Sequence, residues 1–383
     1  MLISPPPRGS SLATRLSNKR HLRSSALGNL SLRVDAGRLC RVTARGLGMA
    51  TTEALPAAEL LARIGRMVER SLPLWGLSPA ARATMINHSE NVTYRIDDPD
   101  SGSRSILRVH RVGYHSQEAI RSELQWMEAL RREAGVETPE ILPARDGSII
   151  QTLRSPELDH PRHAVMFTFL EGKEPAEDEL LAPFERLGEV SAHMHRHAAG
   201  WTLPPGFTRH VWDFETAFGR HPTWGRWQDS FGVDKPTLDI LGRMETAIGR
   251  RLERYGKPRE RFGLCHADIR LANLLIDGTR TKVIDFDDCG ISWYLYDLGT
   301  ALSFIEHRPD VPELVQSWLK GYSRVTRLSR EEEAEIPTFI MYRRLLLVAW
   351  IGSHAETELA KSLGAPYTEG SCRLAEQYLS RFA

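Results

Sequence analysis

Between His266 and Asp288 the chain places Asp268, Arg270, Asn273 and Asp285 close together. Asn273-Leu274-Leu275-Ile276, the turn Asp277-Gly278-Thr279-Arg280 and Lys282-Val283-Ile284 read as a β-hairpin. With its turn centred on Thr279, Asn273 stands directly across from Asp285 at the open end. One neutral and one anionic oxygen donor then converge, which suits Mg²⁺ and its preference for hard oxygen ligands. Asp268 enters the same end from the preceding loop. Phosphoryl transfer needs metal on the phosphates, a positioned hydroxyl and a carboxylate to orient it and accept its proton. Asp285 and Asn273 suit the metal, Asp268 suits the acceptor, and Arg270 brings positive charge near the moving phosphoryl.

The elements that must position these residues can be followed along the chain. Leu60, Leu61, Ile64, Met67 and Val68 recur at helical spacing. Short strands follow at Thr84-Met85-Ile86, at Val92 to Ile96 and at Ile106 to His110, joined by polar turns into an antiparallel meander. Ser116 caps a helix that Gly135 ends, with Ile120, Leu124, Met127 and Leu130 as its buried stripe. Glu123 lies on that stripe, so its carboxylate needs a partner. Two further strands are expected near Glu140–Leu142 and Ser148–Leu153, then the apolar run Ala164 to Leu170 and a linker. The rest reads as helical: Leu180 to His197, Lys235 to Tyr255, Val311 to Tyr322, Arg330 to Ser353 and a last helix from Ser371. The hairpin is the one strong β signal in that half.

His266-Ala267-Asp268-Ile269-Arg270-Leu271-Ala272-Asn273, followed by Asp285-Phe286-Asp287-Asp288 and Tyr296-Asp297-Leu298-Gly299, resembles the catalytic and metal-binding motifs of the aminoglycoside phosphotransferase and choline kinase-like family. That family also holds homoserine kinases of the second type and a bacterial stress-response Ser/Thr kinase. The resemblance implies an α+β, two-lobed protein-kinase-like fold. A small antiparallel-sheet N-lobe with one main helix (residues 49–170) would bind nucleotide. A larger, mostly helical C-lobe (171–383) would carry the catalytic hairpin and the acceptor site. It further implies that Asp268 is the catalytic base, and that Asn273 and Asp285 hold Mg²⁺ for ATP. By the same resemblance, Ser89-Glu90-Asn91 would replace the glycine-rich loop over the phosphates, and Met166, Phe167, Thr168, Phe169 and Leu170 would form the hinge beside adenine. Arg108 stands where the family has a phosphate-contacting lysine, with Glu123 as its helix partner. Arginine keeps the charge but presents a planar fork.

The bland alternatives differ from residue to residue. Ser89 and Asn91 could be turn formers, and Arg108 and Glu123 ordinary surface charges. His193, His195 and His197 do not share one helix face, so packing explains them better than a metal does. His266 and Asp297 read as supports of the loop. Trp201, Trp212, Trp224 and Trp227, with Arg209, His210 and Asp213, are either packing or the acceptor wall. Arg343-Arg344 either pair with acids or face an anionic substrate group.

Composition excludes other classes. The chain is 41% apolar and 26% charged, which rules out wholesale disorder, collagen and coiled coil. Residues 1–48 hold nine Lys or Arg and a single acid, so the remainder is mildly acidic and makes a poor nucleic-acid surface. That stretch reads as a basic tail, a targeting segment or a misassigned start. Four scattered cysteines without a CxxC pair imply reduced thiols and a cytoplasmic protein. Arg343 and Arg344 interrupt the most apolar late run, so no membrane partner is expected. The expected activity is transfer of the ATP γ-phosphate to a hydroxyl of an amino alcohol, hydroxy amino acid, sugar or aminoglycoside. The alternatives are a Ser/Thr protein kinase and a pseudokinase scaffold.

Overall fold

Helix α1 (Ala57–Ser71) lays Ile64, Met67 and Val68 against one face of an antiparallel sheet, sharing a small core with Tyr94, Ile96, Leu107 and Met166. The computed structural model describes residues 56–88, 91–176 and 179–382. The expectations for residues 1–48, Ser89 and Glu90 fall outside them.

The sheet is built from β1 (Arg82–His88), β2 (Val92–Asp98), β3 (Ser103–Val109), β4 (Ile141–Leu142), β5 (Gln151–Leu153) and β6 (Arg162–Thr168). Its order is β1-β2-β3-β6-β4, with β5 also paired to β6. Strand period places Leu107 and Val109 on the α1 side, so Arg108 emerges on the other face. There lies α2 (Gln117–Ala129), whose first turn is capped by Ser116 Oγ accepting from the Ala119 amide at 3.2 Å. A π-helical turn, Leu130–Ala134, runs into Gly135 with φ of 67°, where a residue without Cβ is at ease.

The C-terminal part contains α3 (Leu181–Gly200), β7 (His210–Val211), α4 (Phe214–Phe218), α5 (Lys235–Tyr255), β8 (Phe262–Cys265), β9 (Leu274–Asp277), β10 (Arg280–Val283), β11 (Gly290–Trp293), α6 (Tyr294–Ala301), α7 (Val311–Tyr322), α8 (Arg330–Ser353) and α9 (Glu358–Phe382). Three expectations are corrected. The hairpin is not alone, because β7, β11 and β8 form a second small sheet. These strands are too short for a sequence period, and pairing alone defines them. The last helix begins at Glu358 and bends at Gly364, rather than starting at Ser371. In the hairpin, Asp277 pairs with Arg280 and Leu274 with Val283, which makes Gly278-Thr279 a two-residue turn. The pairing is therefore one residue off the expected register. The Ile284 amide donates to the Asn273 carbonyl at 3.0 Å, and Asp285 lies one position beyond.

Helices α3 and α7 cross with almost no side-chain spacer. A Cβ on Gly188 would come within 1.9 Å of the Trp318 carbonyl oxygen, and one on Gly321 within 1.7 Å of the Glu185 carbonyl oxygen. This close crossing matters to the site because α3 also carries His195 to the catalytic loop. Among the described residues no helix is long and apolar enough to cross a membrane. Gly321→Ala should force the two helices apart and destabilise the protein by about 3 kcal/mol. Chemical denaturation measures this, and a loss below about 0.5 kcal/mol would show that the crossing yields.

Candidate active site

The catalytic loop is shaped from beneath by Asp297, a fully buried residue of α6. Its Oδ1 accepts the Ala267 amide at 2.7 Å, and its Oδ2 accepts the His266 amide at 3.1 Å. His195 Nε2 donates to the same Oδ2 at 2.9 Å, while His195 Nδ1 faces the Tyr322 hydroxyl at 3.2 Å. Ala267 is held at φ of 65°, a left-handed conformation that alanine adopts only when its surroundings impose it. Thr300 continues the cradle, with Oγ1 accepting the Ile269 amide at 3.1 Å. His266 Nε2 donates to the Ile284 carbonyl at 3.1 Å, tying the loop to the far side of the hairpin. His266 and Asp297 are thus the supports that their positions suggested.

His195, Cys265 and Asp297 place ligand-type atoms within 4.8 Å of one another. Burial, then the nearby Asp297, pushes the Cys265 thiol well up, so it stays protonated while Asp297 is occupied by backbone donors. His195 and Asp297 are hydrogen-bonded to each other, while the Cys265 thiol donates to the Trp293 carbonyl at 3.3 Å.

The loop so held presents Asp268. Arg343 donates to its Oδ1 at 2.6 Å. Arg270 Nε and Asn273 Nδ2 each reach its Oδ2 at 3.2 Å, and Asn273 also donates to its carbonyl at 2.8 Å. Arg343 is itself buried and fixed by Ser303 Oγ at 3.0 Å and the Tyr296 hydroxyl at 2.9 Å. Its role was left open by the sequence, because only the packing of α8 against α6 brings it to Asp268. Arg344 turns the other way and pairs with Glu306 at 2.7 Å.

Asp285 follows the hairpin with φ of 62°, and that turn directs its carboxylate into the cleft despite the shifted register. Arg108 Nη1 stands 3.7 Å from it, while Arg108 Nη2 donates to Glu123 at 2.6 Å. The expected pair of Arg108 and Glu123 is therefore formed, and it is buried. Burial pushes the Asp285 carboxyl up to about 7, with Asp287, Asp268 and Glu123 adding to the rise and Arg108 opposing it. The side chain is nonetheless 44% exposed, and that exposure is to the cleft. A carboxylate crowded by other acids is a receptor for a cation.

Asp268, Arg270, Asp285, Asp288 and Arg108 all open onto one cavity of about 520 Å³, which Trp224, Phe304 and Trp350 also line. Asn91 also lines it, with Oδ1 accepting the Arg111 amide at 3.1 Å. Met166 and Phe167 are buried in the two cores, and Phe169 lies under Arg104 at 4.7 Å. None of the stretch from Met166 to Leu170 lines the cavity. Of the four tryptophans singled out, Trp224 reaches the cavity, while Trp212 Nε1 donates to the Asp288 carbonyl at 2.8 Å. Arg209, buried, donates from Nε to the Cys289 carbonyl at 2.6 Å, in the segment that follows Asp285.

A family model described as the phosphotransferase enzyme family matches residues 83–334. The chain belongs to this family. Among curated proteins, the amicoumacin kinase of Bacillus subtilis (strain 168) is 25% identical over 174 residues, which is 43% of this chain and 49% of that protein. Among solved structures, a microcompartment-associated aminopropanol kinase is 44% identical, with a TM-score of 0.76 over 82% of this phosphotransferase and 97% of that chain. The amicoumacin kinase hAmiN, solved with AMP-PNP, Ca²⁺ and Ami, shares the fold at 20% identity, with a TM-score of 0.67 over 84% and 95% of the two chains. The kinase-like fold and phosphotransferase activity expected from the motifs therefore hold, and a scaffold without catalysis is set aside.

Behind the segment Asp285–Cys289, His115 Nε2 donates to the Asp287 carbonyl at 2.8 Å. Burial pushes His115 down to about 3, against the pull of Asp287, so it is neutral at pH 7. The unfolded chain takes up this proton below about pH 6.5, and the folded chain does not until far lower. Stability is thus full above about pH 6.5 and falls with acidification, by about 1.4 kcal/mol per pH unit for this group. Denaturation at pH 7, 6 and 5 should show His115→Asn flattening the decline by about that slope, and an unchanged slope would assign the acid sensitivity elsewhere.

Proposed function

We propose that this phosphotransferase moves the γ-phosphate of ATP, bound with Mg²⁺, to the hydroxyl of a small amino alcohol. The observation that carries the reading is the shared cavity of about 520 Å³, lined by Asp268 and Asp285 together with Trp224, Phe304 and Trp350. Its size suits a small molecule rather than a protein segment. Acidic side chains at Asp288, Glu356 and Glu358 together with aromatic faces favour an acceptor carrying an ammonium group. The 44% identity to a protein named for aminopropanol supports the same choice.

Asp285 and Asn273 are hard oxygen donors, and the acid-crowded Asp285 fits a divalent cation. We assign Mg²⁺ to these two residues, where it would neutralise the phosphate chain. Arg108, braced by Glu123, is assigned to the phosphates together with Asn91, which lines the same cavity. The segment from Met166 to Leu170 is assigned to the adenine edge. On this reading residues 49–170 serve the nucleotide and residues 171–383 serve the acceptor.

Asp268 orients the acceptor hydroxyl and takes up its proton. Guanidinium and amide groups hold both of its oxygens, so the carboxylate keeps a fixed direction. That suits a loose transition state in which alignment matters more than early proton removal. Arg270, beside Asp268 and open to the cavity, offsets charge on the moving phosphoryl.

The test is ATP turnover by the purified protein against a panel of amino alcohols, hydroxy amino acids, sugars, aminoglycosides and Ser/Thr peptides. Amino alcohols should give the highest kcat/KM, and Asp268→Ala should lower kcat about a thousand-fold while nucleotide still binds. A preference for sugars or peptides would overturn the acceptor assignment. Full turnover by Asp268→Ala would overturn the catalytic one.

A further inference from the structure

Arg209 is 9% exposed, yet its hydrogen bonds all go to backbone carbonyls. Nε donates to Cys289 at 2.6 Å, and Nη2 to Phe286 at 3.5 Å and, closer still, to Asp287. Nη1 donates to Ala119 at 3.1 Å. The first three acceptors belong to the loop that begins at Asp285, and the fourth to α2, the helix carrying Glu123. One rigid fork therefore joins the two elements that must stay in register for the site to exist. Its neighbours extend the joint. The Thr208 amide donates to Ser122 Oγ of α2 at 2.9 Å, and Trp212 Nε1 donates to the Asp288 carbonyl at 2.8 Å. The stretch from Thr208 to Trp212 is thus a wedge between helix and loop, and its two ends bind to opposite sides.

A buried guanidinium without a bidentate carboxylate is costly unless the surrounding field compensates it. Here that field comes from Glu123, Asp287 and Asp288, acids that otherwise repel one another and Asp285. We infer that Arg209 is a positioning residue: it serves as an internal counter-charge and clip that keeps the Asp285–Cys289 loop and α2 in the metal-binding arrangement before any cation or nucleotide arrives. The donor geometry explains the choice of residue. Four carbonyls on two elements require a planar fork with several N–H groups, and a lysine ammonium can satisfy only part of that set.

The inference rests on the assignment of Asp285 to the metal, so the test separates the two. Arg209→Lys keeps the charge and loses the fork; Arg209→Met loses both. In the protein without metal or nucleotide, hydrogen exchange at the amides of residues 286–290 should rise about ten-fold or more in Arg209→Lys, with α5 and α8 unchanged. In turnover, the Mg²⁺ concentration for half-saturation should rise about ten-fold while the acceptor KM stays within about two-fold. Arg209→Met should show both effects more strongly where it folds. Unchanged exchange in the loop, or faster exchange spread evenly over the whole protein, would overturn the clip. Faster loop exchange with an unchanged Mg²⁺ requirement would uphold the clip and count against Asp285 as the metal ligand.

Discussion

The site depends first on the Asp297 carboxylate beneath the catalytic loop. Two backbone amides and one imidazole converge on it, and together they hold Ala267 in a left-handed turn. Without that turn the loop would not lift Asp268 toward the cleft. A carboxylate accepting several charge-assisted bonds is among the stronger anchors available to a buried backbone. It also joins distant segments: α6 supplies the acid, α3 the histidine, and α7 the tyrosine behind that histidine. The close glycine crossing of α3 and α7 sets where His195 stands, so packing far from the cleft reaches the loop that presents Asp268 through two hydrogen bonds.

Around this anchor the protein solves a charge problem. Asp268, Asp285, Asp287, Asp288 and Glu123 crowd one end of the cleft, and their repulsion is met by three buried arginines from three directions. Arg108 spans Glu123 and Asp285, Arg343 holds Asp268, and Arg209 takes the carbonyls of the segment that follows Asp285. Each guanidinium is itself immobilised, so the carboxylates have fixed orientations before any ligand binds. Preorganisation of this kind lowers the reorganisation cost of phosphoryl transfer, which is dominated by positioning and electrostatics.

Several of these features were legible from spacing alone. The helical stripe of α2 placed Glu123 inward and in need of a partner, while Arg108 as that partner followed from the family resemblance and is formed in the structure. The meander, the cap at Ser116 and most helix limits in the second half rest on similarly local rules. The hairpin was legible in kind but not in register. A Gly at the first turn position admits a two-residue turn, and a slip of one residue would have carried Asp285 off the site had its own positive φ not turned it back.

By itself the sequence determined the chemistry on offer: the order of Asp268, Asn273 and Asp285, their oxygen donors, and a basic residue on a strand near an acidic helix face. Those follow from local periodicity and turn chemistry, which act over a few residues. Only the tertiary structure decided which cations serve which acids. Arg343 reaches Asp268 across 75 positions and Arg209 reaches the metal loop across about 80. Contacts at that separation depend on how helices and sheets pack, and no short pattern encodes that packing.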